Sequence, residues 1–217
     1  MSLWLFTVMA AITAVFAIRG ESKPTRTQVY FFKPATTSLI ILIALSGGSL
    51  VPPPYQALIL IGLFFCLGGD VLLMLPPRYF IIGLVSFLIG HLLYIAAFVS
   101  EAGFTLSVWG LPLLLFGGVI YRLLHPHLGR LRGPVIAYIL IILLMAWQAV
   151  GRWEISPSTS AALAASGALS FVISDSALAL DRFRARYRHA RLLVLSTYWL
   201  AQWLIALSIG GYARLLG

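Results

Sequence analysis

Gly62-Leu63-Phe64-Phe65-Cys66-Leu67-Gly68-Gly69-Asp70-Val71-Leu72-Leu73-Met74 is an apolar stretch broken by one charge. Its large residues do not alternate with polar ones, so it does not read as a half-buried or barrel strand. It belongs to a longer apolar run over 56–75, long enough to cross a bilayer as a helix. Bare backbone polar groups are intolerable in lipid, which leaves a helix as the way to lay such a run across a membrane. An aspartate inside it costs roughly 2.5–3.5 kcal/mol on insertion scales, so Asp70 demands an explanation.

The rest of the chain repeats the pattern. Apolar runs lie at about 3–18, 34–50, 56–75, 79–99, 105–121, 134–150, 159–180 and 192–213. Turn residues separate them: Pro52-Pro53-Pro54, Pro76-Pro77, Gly103, Gly129, Gly133-Pro134 and Ser156-Pro157. Pro34 suits the first turn of the second run, where a missing N–H is harmless. The first run lacks a basic leader and a small-residue cleavage site, and reads as a retained helix. The chain has 217 residues, of which 61% are hydrophobic and 10% charged, and its mean hydropathy is +0.99. A soluble domain carries about 25% charged residues, so an ordinary soluble globule and a disordered chain are both excluded. The expectation is all-α: one transmembrane domain over 1–217, a polytopic bundle of eight transmembrane helices.

The formal charge of +9 would point to nucleic acid in a soluble protein; here it points to loops beside anionic headgroups. The odd-numbered connections hold Arg19, Lys23, Arg26 and Lys33; Arg78; Arg122, Arg130 and Arg132; and Arg182, Arg184, Arg186, Arg188 and Arg191. Only Arg152 and Arg214 fall on the other side. The positive-inside rule then puts the odd connections in the cytoplasm and both termini on the non-cytoplasmic side, as an even number of spans requires. This suits a bacterial inner membrane. The one cysteine, Cys66, excludes an internal disulfide and reads as a packing residue.

Four of the six acids fall in connections, Glu21, Asp181, Glu101 and Glu154; Asp70 and Asp175 fall within spans. Each of the latter two follows a glycine eight residues earlier, Gly62 or Gly167, and precedes its cytoplasmic end by about six residues, or roughly 9 Å of helix. The spacing therefore places the carboxylates at one depth. Lys33 lies just before the second run, Tyr198 and Gln202 one to two turns into the eighth, and Ser174 and Ser176 flank Asp175. His91 and Tyr94 share a face of the fourth helix, nearer mid-membrane. Against these stand plainer readings: aspartates bonded across helices as struts, a snorkelling Lys33, tyrosines as interfacial anchors, and arginines as a topology signal.

Absences narrow the chemistry. Only His91 among the histidines lies in a span, so a His-rich zinc site is not available, and the chain has no Gly-x-Ser-x-Gly elbow, phosphate loop or dinucleotide fingerprint. What remains is a pair of carboxylates beside basic groups. Such pairs divide labour, one protonated as an acid and the other ionised.

The chain resembles the YhhN-type lysoplasmalogenase family of eight-helix membrane proteins. The resemblance lies in Lys33-Pro34-Ala35-Thr36-Thr37, Leu67 through Leu75 around Asp70, Phe80 through Gly83 with Phe87 through Tyr94, Gly167 through Ser176, and Thr197 through Gln202. These cover nearly the whole chain in order; residues from about 100 to 160 contribute little. The resemblance implies hydrolysis of the vinyl ether of a lysoplasmalogen to a fatty aldehyde and glycerophosphoethanolamine or glycerophosphocholine. It requires no metal, no organic cofactor, no nucleic acid and no obligate protein partner; the ligands are a lysophospholipid and the surrounding membrane lipids. Asp70 and Asp175 are then the expected catalytic pair. Lys33 and Arg78 are expected at the headgroup phosphate, and His91, Tyr94, Tyr198 and Gln202 as residues that bind substrate or orient the pair. Intramembrane aspartates equally suit a proton-coupled transporter, which would need access from both sides. A purely structural protein would tolerate Asn at both positions.

Overall fold

The computed structural model describes residues 3–21, 27–48, 50–211 and 213. Lys23, Arg26 and Arg214 of the charge argument lie outside them. Among the described residues there are eight α-helices: α1 (Leu3–Glu21), α2 (Thr27–Ser46), α3 (Pro53–Met74), α4 (Phe80–Ala102), α5 (Gly110–Leu124), α6 (Arg132–Ile155), α7 (Thr159–Ala179) and α8 (Ala190–Leu207). Seven are long and apolar enough to cross a membrane. The protein is thus an all-helical, multi-pass integral membrane protein.

Two apolar runs end differently from their expected bounds. Helix α2 begins at Thr27, so Pro34 lies inside the helix and not in its first turn, and Lys33 is part of the helix. The Pro34 nitrogen carries no hydrogen for the ladder, while tertiary packing of Val29 and Lys33 holds the turns before it. With the segment before it, α5 carries the chain from Gln148, near the end of α6, back to Val135 at its start, as a return pass; the helix itself spans 15 residues, roughly 22 Å, and is shorter than a bilayer core. The cause is local. Thr105 is pinned against α6 by Gln148, whose Oε1 accepts from the Thr105 N–H at 2.9 Å and whose Nε2 donates to the Thr105 carbonyl at 3.1 Å. This two-way bond holds the chain after Gly103 out of helix. Gly103 closes α4 with φ 72°, a left-handed conformation that favours glycine.

Consecutive helices pair as α1 with α2, α3 with α4, and α7 with α8, while α6 packs between α4 and α7 and α5 lies outside α6. Small residues permit the close pairings. A Cβ on Gly62 would sit 2.5 Å from the ring of Tyr94, which is fully buried and hydrogen-bonded to Gln202. Gly62→Ala is therefore expected to destabilise the bundle by about 1–3 kcal/mol, as over-packing does. A lowered thermal midpoint in detergent checks this; an unchanged midpoint would show that Tyr94 can move.

Candidate active site

Asp70 is 1% exposed, on the face of α3 that meets α2 and α8. Its Oδ2 accepts from the Thr37 hydroxyl at 2.6 Å and the Tyr198 hydroxyl at 2.8 Å. Lys33 Nζ stands 3.2 Å from Oδ1 as an ion pair, off the direction of an aligned hydrogen bond. Lys33 and Thr37 are four apart on α2 and so share a face. Thr37 is itself fixed from α8, its oxygen accepting from Trp199 Nε1 at 3.3 Å. A buried carboxylate with one ammonium and two hydroxyl donors is provided for as an anion.

Asp175 is built differently. Its Oδ2 accepts one bond, from the Tyr138 hydroxyl of α6 at 2.6 Å, and no cation pairs with it among the described residues. No hydrogen bond joins it to Asp70, yet both carboxylates line one cavity of about 860 Å³, together with Lys33, Phe87, Ser174 and Tyr198. Arginines from the segment between α7 and α8 line the same cavity. We call it the vestibule. A second cavity of about 200 Å³ lies between α4, α5, α6 and α7 and is walled by apolar residues such as Leu84, Leu88, Ile120 and Leu143. Asp175 lines this groove as well, so it stands where the polar vestibule meets the apolar groove.

The remaining expected residues divide. Tyr198 is in contact with Asp70, as stated. Tyr94 donates to Gln202 Oε1 at 2.8 Å, and both are fully buried behind the vestibule without lining it. His91 is also fully buried. Its ring meets Phe171 edge-on at 4.6 Å and Tyr138 at 5.6 Å, so it packs behind the tyrosine that holds Asp175. Arg78 is not brought to the cavity: it is exposed, with its guanidinium over the ring of its neighbour Tyr79 at 4.9 Å. Ser174 bonds the Val194 carbonyl at 3.0 Å and ties α7 to α8.

Two partners of the carboxylates escaped the sequence reading. Thr37 carried a usable signal, its four-residue spacing from Lys33. Tyr138 carried none, being one tyrosine in an apolar helix. Among the described residues, no cluster of three or more His, Cys, Asp or Glu side chains is placed to hold a metal ion.

A buried, hydroxyl-solvated aspartate on one wall and a second aspartate at the mouth of an apolar groove define a multi-pass helical membrane protein with an internal carboxylate site. The chain belongs to the YhhN family, whose model matches residues 28–209. It is 30% identical to the membrane protein YhhN of Shigella flexneri over 210 residues, 95% of this chain and 99% of the relative. It is 35% identical to Lysoplasmalogenase TMEM86A of Bos taurus over 156 residues, 69% of this chain and 64% of that protein. With Lysoplasmalogenase TMEM86B of Homo sapiens it shares 37% over 143 residues, 64% of this chain and 58% of the relative. The chain thus spans less than two thirds of the length of these two lysoplasmalogenases. No solved structure matches it.

Proposed function

We propose that the protein is a lysoplasmalogen hydrolase of a bacterial inner membrane, with the arginine-rich end and the vestibule facing the cytoplasm and both termini outside. The observation that carries the reading is the position of Asp175, which borders an apolar groove on one side and a polar vestibule holding Asp70 on the other. An alkenyl lysophospholipid has the same division: an apolar chain, a polar headgroup, and the reacting vinyl ether between them. The names of the mammalian relatives support the same substrate.

In this account Asp175 is the acid and Asp70 the base. Among the described residues Asp175 has a single donor and no paired cation, which suits a carboxyl that carries a proton. It protonates the β-carbon of the vinyl ether and leaves an oxocarbenium ion on the carbon bonded to oxygen. Asp70, held as an anion by Lys33, Thr37 and Tyr198, stabilises that cation and takes a proton from the attacking water. The hemiacetal collapses to a fatty aldehyde and the free glycerol hydroxyl, so one water is consumed and each carboxyl returns to its starting state. The division of roles follows the logic of glycoside hydrolysis.

Tyr138 is a positioning residue, since it touches Asp175 and not the vinyl ether. Tyr138→Phe is expected to lower kcat about tenfold, the worth of one well-placed hydrogen bond, with little change in KM. A KM effect alone would contradict this role.

The far end of the bundle favours one-sided access over transport. Arg152, at the end of α6, pairs with Glu101 of α4, lies 4.6 Å over the Tyr55 ring of α3, and donates to Ser160 Oγ of α7 at 2.8 Å. Ser160 in turn donates to the Ser208 carbonyl after α8 at 2.7 Å. This buried network knits five segments together on the side away from the aspartates. The test is aldehyde release from purified protein given an alkenyl lysophospholipid, beside proton uptake by vesicles containing it. Release without uptake supports the enzyme; uptake without release would establish the transporter.

A further inference from the structure

Helix α7 does not end as an ordinary α-helix. It continues as a π-helical turn, Leu180–Arg184, which closes with the Ala185 N–H bonded to the Leu180 carbonyl at 3.1 Å. A π turn adds a residue to the helical circuit and re-aims the side chains that follow; such turns gather at functional sites. The side chains it presents at the meeting of the two cavities are Arg182 and Phe183, which line both the apolar groove and the vestibule; Arg182 is the charged one. Its guanidinium lies 4.5 Å over the ring of Phe80, and Phe80 meets Phe183 edge-on at 6.3 Å. The stack fixes the plane of the guanidinium against one wall, while its edge N–H groups make no hydrogen bond among the described residues.

The charges around it are uneven. Arg191 is spent on Glu21, at 2.7 Å, and Lys33 on Asp70. Asp181 accepts from the Tyr187 backbone N–H at 3.4 Å. Arg182, Arg184, Arg186 and Arg188 pair with no carboxylate among the described residues, and all four line the vestibule. A topology signal needs positive charge on that side of the membrane; it does not need one exposed guanidinium stacked where two cavities meet. The group that satisfies a fixed guanidinium fork, with further arginines beside it, is a phosphate ester.

We propose that the π turn carries a phosphate-ester site centred on Arg182, which holds the phosphate of an amphiphile in the vestibule while the chain lies in the groove. The site rests on the hydrolase reading for the bond placed at Asp175, but its recognition of phosphate does not depend on any bond being cut. It replaces Arg78, which faces away, as the partner of the headgroup.

The test is binding by the full chain in a nonionic detergent, read by native mass spectrometry with three probes. These are an acyl lysophosphatidylcholine, which has no vinyl ether to cleave, the monoacylglycerol of the same chain, and glycerol 3-phosphate. The lysophospholipid is expected to bind about tenfold or more tighter than the monoacylglycerol. Arg182→Gln is expected to erase that difference and leave monoacylglycerol binding unchanged, Arg182→Lys to keep part of it, and Arg78→Gln to change nothing. Glycerol 3-phosphate is expected to bind more weakly than the lysophospholipid, with the same dependence on Arg182.

Equal affinity for lysophospholipid and monoacylglycerol would overturn the site, as would equal effects of Arg182→Gln and Arg78→Gln. Glycerol 3-phosphate binding as tightly as the lysophospholipid would overturn the joint use of vestibule and groove. Unchanged monoacylglycerol binding by Arg182→Gln shows that the variant is folded. If phosphate-dependent binding holds and no aldehyde is released from an alkenyl lipid, the hydrolase reading fails and the site stands.

Discussion

Asp175→Asn is expected to reduce aldehyde release by about 10²–10⁴-fold, the contribution of a positioned general acid. The asparagine keeps an oxygen that can accept the Tyr138 hydroxyl bond and keeps the volume of the side chain, so the bundle should fold and elute as the native protein does. It cannot deliver a proton. Chain binding in the groove is unaffected, so kcat falls and KM does not rise. Asp70→Asn is expected to lose as much turnover and also some stability. It leaves Lys33, only 9% exposed, without its counter-charge. The comparison separates an acid at the edge of a groove from an anion within a solvating shell. Retained activity in a folded Asp175→Asn protein would remove the acid from the mechanism.

The largest stability effect is expected at the opposite end. Arg152→Ala removes one member of a buried ion pair and leaves Glu101 without its counter-charge, while Tyr55 and Ser160 keep their bonds to Ser208. Breaking such a pair from one side costs about 3–5 kcal/mol, because the remaining charge is left uncompensated. The double variant Glu101→Gln with Arg152→Met removes both charges and should recover much of that loss. Turnover per folded molecule should be near native in both, since the network touches neither cavity. Thermal unfolding in detergent, with activity measured on the folded fraction, checks both statements. A stable Arg152→Ala protein would show that the far end is not held by this network. If that stable protein also moved protons, the transport reading would gain ground.

How much of this was legible in the sequence depends on what each residue type reports. The helices were legible because a bilayer imposes long unbroken apolar runs. Their ends were less so. Gln148 holds the chain around Thr105 extended, and nothing in the apolarity of 105–109 records that clamp. Asp70 and Asp175 stood out because acids inside spans are rare, and equal spacing to the helix ends implied a common level. Apolar runs report depth, however, and not direction around the helix axis. Arg78 has a headgroup-level position like Lys33, yet it points over Tyr79 and away from the cavity. His91 and Gln202 lie near the site in depth but behind its wall. Arg182 looked like one arginine among five in a topology signal; only the π turn distinguishes it. Tyr138 was silent because a half-buried tyrosine is common, and its bond to Asp175 depends on how α6 packs against α7.

A carboxyl that opens a vinyl ether by protonating carbon leaves an isotopic mark on its product. That mark is read from the aldehyde released in heavy water, trapped at once by reduction to the alcohol. Protonation of the β-carbon predicts one solvent deuterium on the carbon next to the former carbonyl, in a reaction lost with Asp175→Asn. Aldehyde released without that deuterium, or no aldehyde from folded native protein, would contradict the account.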